Sequence, residues 1–315
     1  MIENNFSGKA LRRASVPNAS VENGFPLRMV PVVDRMRAMR VLLLGNGTKP
    51  GILETVALLR PEIERRAEIV GSDFYGQDEL PPNNADLAIV FGGDGSILRA
   101  VHQMGRRQIP VLAVHLGTLS FLSTVRTDEL IPLLDRPGLM ASPVIEHLLL
   151  RCEVFRKGNR DEPESSRILL NEVLIAGHPA SGIAYIELHI DGELVTTYRG
   201  DGLILSTPVG STAHNLSVGG PILRKDVDAV VISPVGPHTL SNRPLVDSPN
   251  RCFELAVKQP ITLLLDGTKV AVIEPGDMVR VQRAEQTFKT LDVPGYCYYR
   301  TLRVKLGWNG SLIGD

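Results

Sequence analysis

Aromatic residues are scarce in this 315-residue chain, at 5%, which argues against a surface that stacks the bases of a single strand. An excess of either charge is also missing. Lys and Arg total 34 against 35 acidic residues, so no global basic field points to nucleic acid or to an anionic membrane. No apolar run approaches the ~20 residues needed to span a bilayer, and no apolar stretch follows the N-terminal charges as a secretory signal requires. Cysteine is nearly absent: Cys152, Cys252 and Cys297 are widely spaced, without CxxC or a nearby histidine. They read as buried thiols of a reducing cytoplasm, the expected location. The phosphate-loop pattern G-x-x-x-x-G-K-[ST] does not occur, and neither does the dinucleotide fingerprint.

What is present is enough for real cores: 43% hydrophobic residues over a length that suggests about two domains. Residues 1–40 differ from the rest, with seven Lys and Arg against three acids and no periodicity. A disordered extension is expected over residues 1–38. From about 39 to 146 strand and helix signals alternate, which implies a Rossmann-like, mostly parallel sheet covered on both faces. MRVLLLGNG leads to a helix ILETVALLRPEIERRAEIV, which Pro61 kinks or splits. DLAIVF, IPVLAVHLG at 109–117 and a helix near Thr127–Leu134 follow. From 147 to 289 short strands are joined by turns, with Asp191-Gly192 a hairpin signal, and this half reads as a β-sandwich.

The feature that carries chemistry is Gly92-Gly93-Asp94-Gly95-Ser96, directly after the apolar run Ala85–Phe91. A strand, a glycine-rich turn and a helix make a phosphate cradle, because glycine admits close approach and free N–H groups point from the helix start. A carboxylate there would repel phosphate unless it has another task. Asp94 therefore handles either a metal ion or the hydroxyl that attacks a phosphoryl group. In the β half, Asn171-Glu172 interrupts LLNEVLIA, as either the polar side of an edge strand or part of a site. Arg199-Gly200-Asp201-Gly202 and the run Ser206–Ser217, ending in Gly219-Gly220-Pro221, are dense in glycine and hydroxyls. The stretch from Ser233 to Pro244 fits neither helix nor strand period.

Taken in order, GGDGS-x-L, the Asn-Glu pair, DGLILSTPVGSTA-x-N-x-S-x-GGP and SP-x-x-PHTLSNRP resemble the NAD kinase family over about residues 40 to 300. The resemblance implies phosphorylation of the 2′-hydroxyl of the adenosine ribose of NAD to give NADP. ATP with a divalent ion, magnesium, is the implied donor, and polyphosphate serves some members. It also implies a β-sandwich dinucleotide-binding domain, a C-terminal tail (290–315) folding back on the α/β domain, and a homodimer or homotetramer that completes the site. Carried onto this chain, Asp94 would be catalytic, and Gly92, Gly93, Gly95 and Ser96 would hold donor phosphates. Asn171 and Glu172 would bind adenosine or ribose hydroxyls, and Phe121 would supply an apolar wall. Asp201 would contact the nicotinamide end, Arg199 would also bind NAD, and Thr212, Ala213, His214 and Ser217 would line the pocket. His238 and Arg243 either stabilise a loop or contact phosphate. His214 stands where Tyr is usual, Ser120 where Gly is usual, and Thr268 where Gln is frequent. The alternatives are a kinase of a lipid or sugar hydroxyl, and a dinucleotide sensor without catalysis.

Overall fold

Every side chain of the strand Leu87–Phe91 is buried, and alternate residues feed two separate cores. Leu87, Ile89 and Phe91 pack with the helices Ile52–Glu64 and Thr127–Leu134, whereas Ala88 and Val90 pack with the helix Asp94–Met104. A parallel strand covered on both faces needs an unbroken apolar run rather than an alternating one. The computed structural model describes residues 38–76, 80, 85–117, 120–177, 182–239, 241–293 and 295–308. The extension expected over 1–38 therefore lies, apart from Ala38, outside the described residues, as do Thr118, Leu119 and residues 309–315.

The strands Glu68–Asp73, Arg40–Gly45, Leu87–Phe91 and Val111–His115 lie side by side and parallel. The long strand Met278–Leu291 extends this sheet. Its Thr290 pairs in parallel with Val111, while its earlier residues pair antiparallel with Val144–Phe155 and Phe253–Val257. Among the described residues the result is an eleven-stranded mixed sheet, facing a six-stranded antiparallel one. Leu203, Leu205 and Ile232 of the smaller sheet share one core with Leu150, Leu188 and Phe253 of the larger, which makes the β half a sandwich.

Several local expectations are corrected. The helix does not run on through AEIV, because Glu68–Asp73 is a strand on the sheet edge. Nor does Pro61 split the Ile52–Glu64 helix. It removes one intrahelical bond, and buried Ile52, Val56 and Ile63 hold both sides of it against the sheet. Val230–Val235 is a strand despite Pro234, so the start of the irregular stretch is regular. Of the three thiols only Cys152 is buried; Cys252 is half-buried and Cys297 exposed, and all are free.

Two crossings between the sheets position the motifs of the β half. LLNEVLIA is not one strand: Ser165–Leu169 belongs to the large sheet and Glu172–Gly177 to the small one, so the chain changes sheet at Leu170-Asn171. It passes from the large sheet to the small one again at Asp201, between Glu193–Gly200 and Gly202–Ser206. The glycines flanking Asp201 follow from close backbone approach. A Cβ on Gly200 would stand 2.6 Å from the Gly236 carbonyl oxygen, and one on Gly202 2.3 Å from that of Ile175.

Candidate functional site

Asp94 is the first residue of its helix, with Gly93 as the extended residue before it. Its carboxylate accepts N–H bonds from Phe121 (3.1 Å) and Leu122 (2.9 Å), so the cradle is tied to the loop after Val111–His115. Gly92 has φ 128°, and a Cβ there would fall 2.2 Å from Ser96 Oγ, which only glycine avoids. Gly93 and Gly95 differ: a Cβ on either would meet nothing within 4 Å among the described residues. Ser96 is buried, and Ser123 Oγ donates to the Gly92 carbonyl at 2.7 Å. Ser120 is buried, and its hydroxyl accepts the Ser123 N–H at 2.8 Å.

Lys225 was passed over in the sequence, yet it stands beside the cradle. Its amine donates to the Phe121 carbonyl and to Tyr296 Oη (3.0 Å), and lies over the rings of Tyr296 and Tyr298. Burial pushes it down to about 8, with the Asp94 charge pulling the other way. The Phe121 ring is half-buried beneath the Lys305 amine, 5.9 Å away. No local pattern marks Lys225, because its partners are 104 and 71 residues distant in sequence.

The hydroxyl-rich run folds on itself. Ser211 Oγ accepts the Leu223 N–H at 3.0 Å, and Asn215, fully buried, donates to the Ser211 and Pro221 carbonyls and accepts from Ser233 Oγ. Gly210 abuts Asn171, whose carbonyl oxygen a Cβ would approach to 2.2 Å. Val209 packs with Ile97 and Leu122, so this run joins the cradle to the Asn-Glu pair. Ser211 and Asn215 thus build the turn, while Thr212 and Ala213 are half-buried, and His214 and Ser217 are exposed.

Asn171 and Glu172 are fixed by a residue the sequence reading did not single out. Asp266 accepts the N–H groups of Leu170 (3.0 Å), Asn171 (2.7 Å) and Glu172 (3.1 Å), and its Oδ2 also meets His102 Nε2 at 2.7 Å. An available signal was Asp266-Gly267 between two apolar runs, a two-residue hairpin turn with φ 47° and 76°. Glu172 is buried, and its Oε2 has no hydrogen-bond partner among the described residues. Burial, helped by the Asp266 charge, pushes its carboxyl up to about 7.

Arg199, Asp201 and His238 do not join this group. Asp201 adjoins Gly177 while Glu172 pairs with Ser206, so the two motifs sit at opposite ends of one strand pair. At ~3.4 Å per residue that is about 17 Å. The His238 N–H donates to the Arg199 carbonyl at 2.9 Å, and the Arg199 guanidinium lies over Tyr185. Arg243 is exposed.

The ATP-NAD kinase N-terminal domain family matches residues 74–137, and the ATP-NAD kinase C-terminal domain family matches residues 170–293. An NAD kinase of Rhodopirellula baltica is 44% identical over 88% of this chain and 89% of its own length. One from Geotalea daltonii is 35% identical over 84% and 90%. Among solved structures, yeast NADH kinase complexed with NADH superposes with a TM-score of 0.76 over 89% of this chain and 91% of its own, at 23% identity. An NAD kinase from Archaeoglobus fulgidus in complex with ATP gives 0.69 over 86% and 100%, at 20% identity, and both likenesses speak for the fold. With both halves of the chain matched in order and the cradle, the Asn-Glu pair and the hydroxyl-rich turn joined in space, the chain belongs to the NAD kinase family.

Proposed function

We infer that the chain is an NAD kinase, which moves the γ-phosphoryl group of ATP to the 2′-hydroxyl of the adenosine ribose of NAD and yields NADP. The observation that carries the mechanism is the open glycine cradle with Asp94 at its helix start. No described residue stands within 4 Å of a Cβ built on Gly93 or Gly95, so packing among them does not explain the missing side chains, whereas a phosphate seated on the helix N–H groups does. In the reaction the ribose oxygen forms a bond to the γ-phosphorus, the bond to the β–γ bridging oxygen breaks, and ADP leaves. The hydroxyl proton goes to Asp94 late in transfer, after the carboxylate has positioned it.

Asn171 and Glu172 recognise ribose hydroxyls, Glu172 through the free Oε2. Thr212, Ala213, His214 and Ser217 line the dinucleotide pocket, and Phe121 forms its apolar wall. No group of three or more His, Cys, Asp or Glu is placed to hold an ion among the described residues. A magnesium ion commonly keeps several waters and binds through substrate phosphates. The substrate phosphates would hold the ion, which would supply charge neutralisation on them. Arg199, Asp201 and His238, being about 17 Å from the Asn-Glu pair, serve the site of a second subunit in a homodimer or homotetramer. Residues 39–146 form the α/β domain and 147–289 the dinucleotide-binding sandwich. The tail from 290 folds back on the first, a reading supported by Leu291 in its core and by the Tyr296 bond to Phe121. The free thiols suit a cytoplasmic location, and no helix among the described residues is long and apolar enough to cross a membrane.

The test is an end-point assay of the purified protein with NAD and Mg-ATP, read by an NADP-specific dehydrogenase, with NADH and polyphosphate in parallel wells. NADP is expected with ATP. Binding of NAD without product from any donor would make the protein a sensor. A second prediction concerns Lys225. Lys225→Met removes the hydrogen bond to the Phe121 carbonyl and the one to Tyr296 Oη, at roughly 1 kcal/mol each, so the KM for NAD should rise about tenfold or more with a smaller change in kcat. An equal fall in kcat with unchanged KM would place Lys225 on the donor side instead.

A further inference from the structure

The helix that presents Asp94 has a second end, about 12 Å along its axis at His102, and a cavity opens there. Its volume is about 320 Å³, and it lies between that helix end, the strand Ser165–Leu169, the hairpin around Asp266-Gly267 and the bulge of the long strand near Glu285. Arg106, Arg151, Arg167 and His102 line it, against one acidic lining residue, Glu285. Arg151 is held by Glu153 and Gln282, each at 3.4 Å. Arg106 and Arg167 have no hydrogen-bond or ion-pair partner among the described residues, and both are exposed.

Guanidinium groups come from three separate elements here, and each offers paired N–H donors that match phosphate oxygens. A helix C-terminus disfavours an anion by about half a charge, which three guanidiniums outweigh. A single-atom anion would satisfy one fork; a short chain of phosphates can reach several. The volume lies at the lower end of the range for small-molecule sites.

The same walls touch the candidate site. His102 faces the cavity and holds Asp266, whose side chain is 1% exposed and receives the N–H groups of Leu170, Asn171 and Glu172. Leu265 and Thr268, on either side of the Asp266-Gly267 turn, also line it. We propose that this cavity is a second anion site, separate from the glycine cradle, which takes a short phosphate chain and transmits its occupancy through His102 and Asp266 to the backbone of Asn171 and Glu172. That transmission affects catalysis only through the roles given above to Asn171 and Glu172.

The experiment is calorimetric titration of the full chain with sodium tripolyphosphate at fixed ionic strength, for the wild type, Arg106→Ala/Arg167→Ala and Arg106→Lys/Arg167→Lys. Hydrogen exchange of residues 168–173 is followed on the same samples. The wild type should show a binding event that weakens at least tenfold in the alanine pair and recovers in part in the lysine pair. Exchange at the Leu170, Asn171 and Glu172 amides should slow at least threefold at saturation in the wild type and stay unchanged in the alanine pair. Titration with ATP separates the sources. Two events in the wild type and one in the alanine pair mean that the site accepts the phosphates of a nucleotide. One event in both means that it takes the free chain only. Superimposable tripolyphosphate isotherms for wild type and alanine pair would overturn the site, and equal affinity for citrate would overturn its phosphate selectivity. Lost binding with unchanged exchange would overturn the transmission. Neither readout uses turnover, so failure to make NADP would count against the kinase reading and leave this site standing.

Discussion

Asp94→Asn should lower NADP formation by at least about 10³-fold while leaving NAD affinity within about threefold of wild type. The large factor follows from the role: a general base contributes 10²–10⁴ in rate, and this one also orients the attacking hydroxyl. The small factor follows from the geometry. Asparagine is isosteric, and its single carbonyl oxygen still accepts one of the two N–H bonds from Phe121 and Leu122. The amide nitrogen then confronts the other N–H, a local cost of about 1–3 kcal/mol, but the Phe121 carbonyl keeps its bonds from Lys225 and Tyr296, so the pocket wall stays in place. Losing the carboxylate also removes the charge that holds Lys225 up, so burial drives its amine lower still. Single-turnover kinetics with Mg-ATP, together with calorimetry of NAD binding, separate the two effects. Turnover near the wild-type rate would remove Asp94 from the chemistry.

The cradle was legible in the sequence because everything that makes it is local. An apolar run covered on both faces, a glycine at φ 128° and an amphipathic helix lie within about twenty residues, and each leaves its own period or residue type. The Thr127–Leu134 helix and the Asp191-Gly192 hairpin, at φ 52° and 84°, were legible for the same reason. AEIV misled because four residues at a helix end carry no period of their own; their fate was decided by pairing with Arg40–Gly45. The change of sheet at Leu170-Asn171 was hidden likewise, since two strands of different sheets run on with one intervening kink. Lys225 and Asp266 were invisible because they act across the fold, Asp266 reaching Asn171 over 95 residues of sequence and His102 over 164. The hydroxyl-rich run was noticed for its composition, but its reason emerged only when Ser211, Asn215 and Ser233 were seen to satisfy one another.

Glu172 yields the second large effect, and its sign is fixed by the direction of its shift. Its carboxyl is raised from the usual 4.5 to about 7, mainly by burial and further by the Asp266 charge. Between those values the native state holds a proton that the unfolded chain has released. The stability this confers is fully present below about 4.5 and is lost as the pH rises through about 7. At 1.36 kcal/mol per pH unit the loss reaches about 3 kcal/mol, a large part of the net stability of a domain. Glu172→Gln keeps the shape and the backbone bonds to Asp266 but cannot ionise, so chemical denaturation should show the wild type weakening from pH 5 to 8 and the variant holding level by comparison. The same carboxyl reports the dinucleotide. A ribose hydroxyl donating to the orphaned Oε2 favours the ionised form, so NAD binding near pH 7 should release protons, seen as a calorimetric enthalpy that changes with the ionisation enthalpy of the buffer. In Glu172→Gln that buffer dependence should vanish and affinity should fall about tenfold. A wild-type enthalpy identical in phosphate and Tris would place the ribose elsewhere.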